Sequence, residues 1–257
     1  PFQLGRVMNR AFSGVFENWK ALALVIIPTI LITMIPSIPT FMGIEQLSDP
    51  GTTGFIVSTI VTYILSFFSW MFMCILADIL AFSRFCGRHV PTRDAVLKAL
   101  KTTLPILFIV ILYFISTQIG SLFFIVPGVI ISVGWAVIGP VYLHEDIALF
   151  ETFERSWSLA KGYKWWLFLA QILMNIIIFF VVLLAYIPVG LLVFQQGEQA
   201  LAGELDITLP IILAGFLTNV ILYTAFSLYA SFTAALYAEL KELKEGFLSD
   251  TAAAVFD

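Results

Sequence analysis

The tripeptide His144-Glu145-Asp146 is the densest group of titratable side chains in the sequence, and several basic residues follow it closely. Three interpretations of this cluster are open. It is structural if Asp146 caps the next helix and Glu145 pairs with a basic neighbour. It is part of a lipid site if nearby cations bind an anionic headgroup. It is a metal or acid–base centre in the third interpretation, although His89 and His144 lie too far apart to show ligand spacing. The cations proposed for the headgroup site are Arg84, Arg155, Lys161 and Lys164.

Four polar side chains interrupt otherwise apolar stretches, where a charged or amide group is expensive to bury. Asp78 precedes Arg84 by six residues, which favours pairing with a cytoplasmic arginine over binding of a cation or headgroup. Gln171 and Asn175 are one helical turn apart, and Asn219 lies in a later stretch. We expect these amides to form hydrogen bonds between helices, and a path for a substrate is the alternative.

Long stretches without charge locate the elements that must position these residues. The 257-residue chain is 60% hydrophobic and only 12% charged, and its mean hydropathy is +1.00. The five stretches without Asp, Glu, Lys or Arg are 21–44, 50–77, 102–144, 165–197 and 207–238. About 20 apolar residues cross a bilayer as a helix, so the third stretch must hold two spans and the total is six. Its turn lies either at 117–121 or at Pro127-Gly128.

The basic residues indicate the orientation of these six spans. All 13 Lys and Arg residues fall on one side, and the loops predicted on the other side carry none. The positive-inside rule therefore predicts cytoplasmic N- and C-termini for this multi-pass protein. The formal net charge of −4 supplies no cationic surface for nucleic acid, so we expect no nucleic-acid partner.

Amphipathic segments precede the pairs of spans and predict helices that lie in the membrane interface. They start near residues 4, 92 and 147, so a single transmembrane domain over 1–257 divides into three possible repeat units, about 2–84, 91–146 and 147–246. The predicted fold is an all-α integral membrane protein with six transmembrane helices and three cytoplasmic-side interfacial helices. The apolar face predicted for the third interfacial helix consists of Ile147, Phe150, Phe153, Trp157 and Ala160.

One stretch resembles a known bacterial family. It comprises Pro127-Gly128, Trp135, Pro140 and Glu145, followed by the run from Arg155-Ser156-Trp157 to Lys164-Trp165. These motifs resemble the glycerophosphoryl diester phosphodiesterase membrane domain and the UPF0259/DUF975-type inner-membrane proteins. The resemblance implies a bacterial inner-membrane location. It places the phosphodiesterase chemistry of fused members in a separate soluble barrel, so it implies no enzymatic activity for this chain.

The function we expect is therefore non-catalytic. The amphipathic segments and the many aromatic residues favour a protein that organises or handles lipids or other amphiphiles at the cytoplasmic leaflet. A small-molecule transporter or channel is the alternative, because internal repeats and proline-broken spans are typical of transporters. An intramembrane enzyme is a third hypothesis, but no nucleophile elbow, Walker loop or HExxH motif is present. We expect no cofactor and no metal. The expected partners are membrane lipids, with a membrane protein or a second copy of the chain as further possibilities.

Overall fold

A computed structural model describes residues 2–34, 52–88, 90–195, 197 and 209–246 of the chain. The regular secondary structure of these residues is entirely helical, which confirms the all-α class. The helices are α1 (Leu4–Phe16), α2 (Trp19–Met34), α3 (Thr53–Phe85), α4 (Thr92–Phe123), α5 (Ile125–Gly134), α6 (Ile138–His144), α7 (Leu149–Ala160), α8 (Lys164–Gln195) and α9 (Leu209–Glu245).

Five segments of the described chain are long and apolar enough to cross a membrane. They are α3, α4, the pair α5–α6, α8 and α9. A sixth is present if α1 and α2, which meet at an angle of 62°, are taken as one bent span. The first predicted span, 21–44, is described only as far as Met34. Its remainder and two of the three predicted loops opposite the basic residues, in 35–51 and 198–208, lie outside the described residues.

The turn within the longest uncharged stretch falls at Phe124, between the two predicted positions. Pro127 does not end a helix because it lies in the first turn of α5. Backbone N–H groups in a first turn have no intrahelical partner, so the N–H that proline lacks is not missed there. The two glycines of the predicted turns instead let α4 and α5 pack closely. A Cβ atom on Gly120 would lie only 3.1 Å from the backbone of Gly128.

Two of the three predicted interfacial helices are separate elements, namely α1 and α7. The segment that starts at Thr92 is the beginning of α4 and continues without a break through Pro105, so the prediction of a separate helix there is wrong. No helix-ending signal precedes Pro105, and a transmembrane helix can tolerate an internal proline. The second predicted unit therefore lacks its own interfacial helix, and the threefold repeat stays a prediction.

Helix α7 packs through a stripe that agrees only in part with the predicted face. Of that face Ala160 is buried, whereas Phe150 is exposed, and the other buried residues are Thr152, Ser156 and Leu159. Small and hydroxyl side chains allow the closer approach, and the Ser156 hydroxyl donates a hydrogen bond to the carbonyl oxygen of Gly134 at 3.3 Å. The helix consequently has three sides, one against the bundle, one aromatic and one charged.

Helix α9 is the centre of the bundle and contacts α1, α2, α3, α6, α7 and α8. Two rows of small residues spaced by four make this close packing possible, and all six of their side chains are buried. These rows are Ser227, Ser231 and Ala235, and Ala230, Ala234 and Ala238.

Helix α1 docks on α9 and α3 through a glycine. A Cβ atom on Gly14 would lie 2.2 Å from the Ser231 hydroxyl oxygen and 2.9 Å from the Ala81 Cβ atom. The same hydroxyl donates a hydrogen bond to the carbonyl oxygen of Ala11 at 2.8 Å. Close backbone contact, rather than side-chain interlocking, therefore holds α1 at this point.

We predict that Gly14→Ala destabilises the protein by about 1–3 kcal/mol, because the added methyl group has no space. The matched control is Gly5→Ala on the same helix, where a Cβ atom would meet nothing within 4 Å. That change is expected to be neutral or to stabilise α1 slightly. Thermal unfolding in detergent, followed by circular dichroism, measures both variants, and equal melting temperatures would contradict the docking of α1.

Candidate functional site

The Glu145 carboxylate joins three helices at the end of the bundle that carries the described lysines and arginines, here called the basic end. Arg155 on α7 donates to its two oxygens from Nε at 2.7 Å and from Nη2 at 3.0 Å. On α9, the Tyr237 hydroxyl donates at 2.8 Å and Lys241 Nζ at 3.2 Å. This arrangement matches the structural interpretation of Glu145, in which the carboxylate pairs with basic neighbours.

The charges of this group are stable over a wide pH range. Burial raises the pKa of the Glu145 carboxyl, but hydrogen bonds from Arg155, Tyr237 and Lys241 outweigh it and lower that pKa to about 2. The hydrogen bond to Glu145 raises the pKa of the Arg155 guanidinium. A second hydrogen bond, to Glu245, raises it further. Arg155 therefore has two carboxylate partners within the protein.

The other proposed headgroup cations do not share this site. Arg84 Nη1 lies 3.9 Å from a Glu17 carboxylate oxygen, beside the bend between α1 and α2. Lys164 Nζ lies over the ring of Trp157, 3.4 Å from its centroid, and Lys161 is exposed at the end of α7. The expected cluster of Arg84, Arg155 and Lys164 is thus not assembled, because acidic and aromatic neighbours engage each cation separately.

Asp146 does not cap α7, so that prediction is also wrong. The residue before the first helical position is Ala148, whose backbone N–H donates to a Glu151 carboxylate oxygen at 3.3 Å. Asp146 lies before this position and is exposed. The backbone N–H at the start of α7 is therefore bonded from within the helix, by the acidic residue three positions further on.

Asp78 is paired with His144, not with an arginine. Its Oδ1 atom lies 2.8 Å from His144 Nε2, and the residue is only 3% exposed. The ring of Phe82 stacks on His144 with centroids 3.9 Å apart. Arg84 cannot pair with Asp78 because the two residues are six positions apart on α3. At this spacing their side chains point in directions that differ by about 240° around the helix axis. Both residues are evident in the sequence, but no sequence pattern indicates that Asp78 and His144 pair with each other.

The uncharged polar residues also differ from expectation. Asn219 Nδ2 donates to the carbonyl oxygen of Gly215 at 2.9 Å within its own helix, and among the described residues it makes no bond to another helix. The bond that does link α8 and α9 runs from the Thr218 hydroxyl to the carbonyl oxygen of Ala185, at 2.9 Å. Asn175 is exposed on the outer side of α8, and Gln171 lines a cavity inside the bundle.

Glu239 is a buried charge that the sequence analysis missed. It is fully buried on α9, and its carboxylate accepts from Arg6 Nη2 at 2.7 Å and from the backbone N–H of Gln3 at 3.1 Å. Arg10 Nη1 approaches to 3.4 Å. The available signal was its position four residues after Ala235, on the row of small residues that packs inward.

An apolar groove of about 490 Å³ lies between α5 and α8. Lys164 is the only charged residue among those that line it, and it lies beside Trp165, which is 74% exposed. The remaining lining residues are Ile125, Val126, Val129, Ile130, Val133 and Phe168. The groove thus combines an apolar wall with a single cation at the start of α8.

Comparison of the chain with protein-family models, curated proteins and solved structures found no match. The described residues include no group of three His, Cys, Asp or Glu side chains that could hold a metal ion; His89 is not among them. The fold and the hydropathy of its helices define the chain as a helical membrane protein.

We predict that Glu145→Gln lowers the free energy of unfolding at pH 7 by about 2–3 kcal/mol, because charge-assisted hydrogen bonds are lost. The pKa of Glu145 is lowered from 4.5 to about 2 by folding. Its stabilising contribution is therefore complete above about pH 4.5 and disappears as the pH falls toward 2. The difference in melting temperature from the wild type should shrink over that interval.

Glu154→Gln is the control, because Glu154 lies on the exposed face of the same helix. It should leave both the melting temperature and its pH dependence close to the wild type. A Glu145→Gln difference that stays constant between pH 4.5 and pH 2 would rule out the ionised carboxylate as its cause.

Proposed function

We propose that this protein is a non-catalytic, multi-pass protein of a bacterial inner membrane that binds lipids or other amphiphiles at the cytoplasmic leaflet. The observation that carries this proposal is the groove between α5 and α8 with Lys164 beside it. The resemblance of its motifs to a bacterial membrane domain agrees with the location.

The groove suits one acyl chain of an anionic lipid. Its lining is apolar and belongs to two segments that are hydrophobic enough to cross a membrane, so hydrocarbon is the solvent around it. A lipid phosphate is attracted by a nearby lysine with about 1 kcal/mol. The Trp157 ring keeps the Lys164 ammonium at this position through a cation–π contact.

The positive-inside rule supports the choice of leaflet. The basic end contains α1, α7 and the start of α8, and ion pairs or hydrogen bonds connect its helices. Phe16 on α1 and Phe150 on α7 are exposed there, as expected for helices that border the lipid interface. In this orientation both described ends of the chain face the cytoplasm.

A small-molecule transporter is the second candidate function. The observation in its favour is a separate cavity of about 280 Å³ that lies among α3, α4, α6, α8 and α9. Asp78 and Gln171 both line this cavity.

We predict that Lys164→Gln reduces the retention of phosphatidylglycerol about fivefold, because one lysine–phosphate attraction is lost. Retention of zwitterionic phosphatidylethanolamine should change much less. Native mass spectrometry of the purified protein measures both lipids. Lys161→Gln is the matched control, because that lysine is exposed three residues earlier and does not line the groove. Equal lipid retention by the two variants would argue against a headgroup contact at Lys164.

A second variant tests the groove itself. Ile130→Trp places a large ring in the groove and should reduce retention of both lipids, because the acyl chain loses its place. Ile176→Trp is the control, since Ile176 is similarly exposed on α8 but does not line the groove (48% against 45% for Ile130). Retention that is unchanged by Ile130→Trp would contradict acyl-chain binding between α5 and α8.

A further inference from the structure

A further cavity, of about 460 Å³, lies at the basic end and shares no lining residue with the groove between α5 and α8. It forms where the end of α3, the link to α4 and the first turns of α4 meet single residues of α6 and α9. Its volume is within the range of pockets that hold small organic molecules. We call it the basic cavity, and the charged side chains in its wall, beside His144, are those of Arg88, Asp94, Lys98 and Lys241.

The wall of the basic cavity carries two positive charges that no described carboxylate pairs with, those of Arg88 and Lys98. Lys98 Nζ donates to the carbonyl oxygen of Leu143 at 2.7 Å, a bond that positions the ammonium group but does not neutralise its charge. Asp94 is the one acidic residue among the described residues of this wall. An anion in the cavity would therefore meet an excess of positive charge.

The backbone positions Arg88 beside the end of α3. Gly87 has a φ of +65°, which reverses the chain, and the backbone N–H of Arg88 then donates to the carbonyl oxygen of Ser83 at 2.8 Å. A glycine in this conformation followed by such a return bond is a common end of a helix. Arg88 is thereby held at the cavity, while its side chain remains exposed to a ligand.

Cys86, which also lies in the wall, is within reach of these charges. Burial raises the pKa of the Cys86 thiol, and the positive charges of Arg88, Lys241 and Arg10 oppose that rise. The floor next to this thiol is apolar, because Ile79 and Phe82 are both buried and line the cavity. A ligand that fits this site therefore combines a negative group with a small apolar part.

The basic cavity faces away from lipid. Ala95 and Lys98 of α4 line it, whereas Leu100, which is 58% exposed, points about 140° and about 160° away from them around the helix axis. Because α4 is apolar enough to cross a membrane, this exposed leucine marks its lipid side. The cavity consequently opens toward water.

We propose that the basic cavity binds a soluble anion with a phosphate group, which Arg88 and Lys98 contact, and a small apolar part, which packs on Ile79 and Phe82. Two cations from different elements suit the several oxygens of a phosphate, and both arginine and lysine bind phosphate in proteins. A lipid headgroup contains the same chemistry, but a cavity that faces away from lipid favours the soluble source. The site is separate from the groove proposed for an acyl chain.

Occupancy of the cavity can be followed through Cys86. In a Cys74→Ala variant, modification by the uncharged reagent N-ethylmaleimide measures access to Cys86, the other cysteine of the sequence. The probes are benzyl phosphate, phenylacetate and benzylammonium, which share one ring and differ in the charged group.

We predict that benzyl phosphate slows this modification at about tenfold lower concentration than phenylacetate, as one additional charge-assisted hydrogen bond would give. Benzylammonium should not slow it, because the cavity wall repels a cation. Equal protection by benzyl phosphate and phenylacetate would overturn the preference for phosphate. Equal protection by all three probes would show that only the ring binds, and would overturn the anion site.

Two matched pairs of variants test the residues. Arg88→Gln should raise the protecting concentration of benzyl phosphate about tenfold, whereas Arg93→Gln, at an exposed residue outside the wall, should not. Lys98→Gln and its control Lys101→Gln form the same comparison on α4. A melting temperature near the wild type separates the lost phosphate contact from the lost bond to Leu143. Protection that survives both Arg88→Gln and Lys98→Gln overturns the proposal.

A second experiment distinguishes a soluble phosphate from a lipid headgroup. The protein is placed in nanodiscs of phosphatidylcholine with or without phosphatidic acid, and modification of Cys86 is followed without a soluble ligand. We expect phosphatidic acid to change the rate equally in the Cys74→Ala protein and in its Arg88→Gln variant, because the negative membrane surface acts on both. Protection that Arg88→Gln abolishes would assign the cavity to a headgroup and overturn the soluble source. Lys164→Gln should leave protection by benzyl phosphate unchanged, so the groove and the basic cavity are tested independently.

Discussion

Carboxylates that are fully or partly withdrawn from solvent at the basic end must be neutralised by cations, and this requirement holds the outer helices against α9. Glu239 is fully buried, and Arg6 and Arg10 bring α1 to it. Glu145 is bonded by Arg155, which brings α7 to the same helix. Removing the partner of a fully buried charge such as Glu239 destabilises a protein by about 3–5 kcal/mol. The loss at the partly buried Glu145 is smaller, about 2–3 kcal/mol. Separation of α1 or α7 from the bundle is therefore strongly unfavourable.

The docking of α7 also determines the shape of the proposed lipid site. Trp157 packs where a Cβ atom on Gly134 would lie, 2.2 Å from the indole ring. This places the ring beneath Lys164, so the ammonium group is held at the start of α8. The groove between α5 and α8 depends in this way on a helix that does not line it.

The sequence predicted those features that follow from local periodicity and charge. Uncharged stretches located the long helices, and the regular spacing of small residues around Ser231 agrees with the close packing of α9. The pairing of side chains was not predictable in the same way, because Asp78 and His144 are 66 residues apart and Arg6 and Glu239 are 233 apart. Such partners are chosen by the rotation of each helix about its axis, and apolarity on nearly every side of a span leaves that rotation undetermined.

Hydrogen–deuterium exchange of a Glu239→Gln variant tests most directly whether ion pairs hold the outer helices. The substitution retains the size of the side chain and removes the charge that Arg6 and Arg10 neutralise. Exchange of the α1 amides, Leu4–Phe16, should become at least about tenfold faster, whereas the α7 amides should be unaffected because Arg155 keeps its own partners. Unchanged exchange throughout α1 would contradict the account.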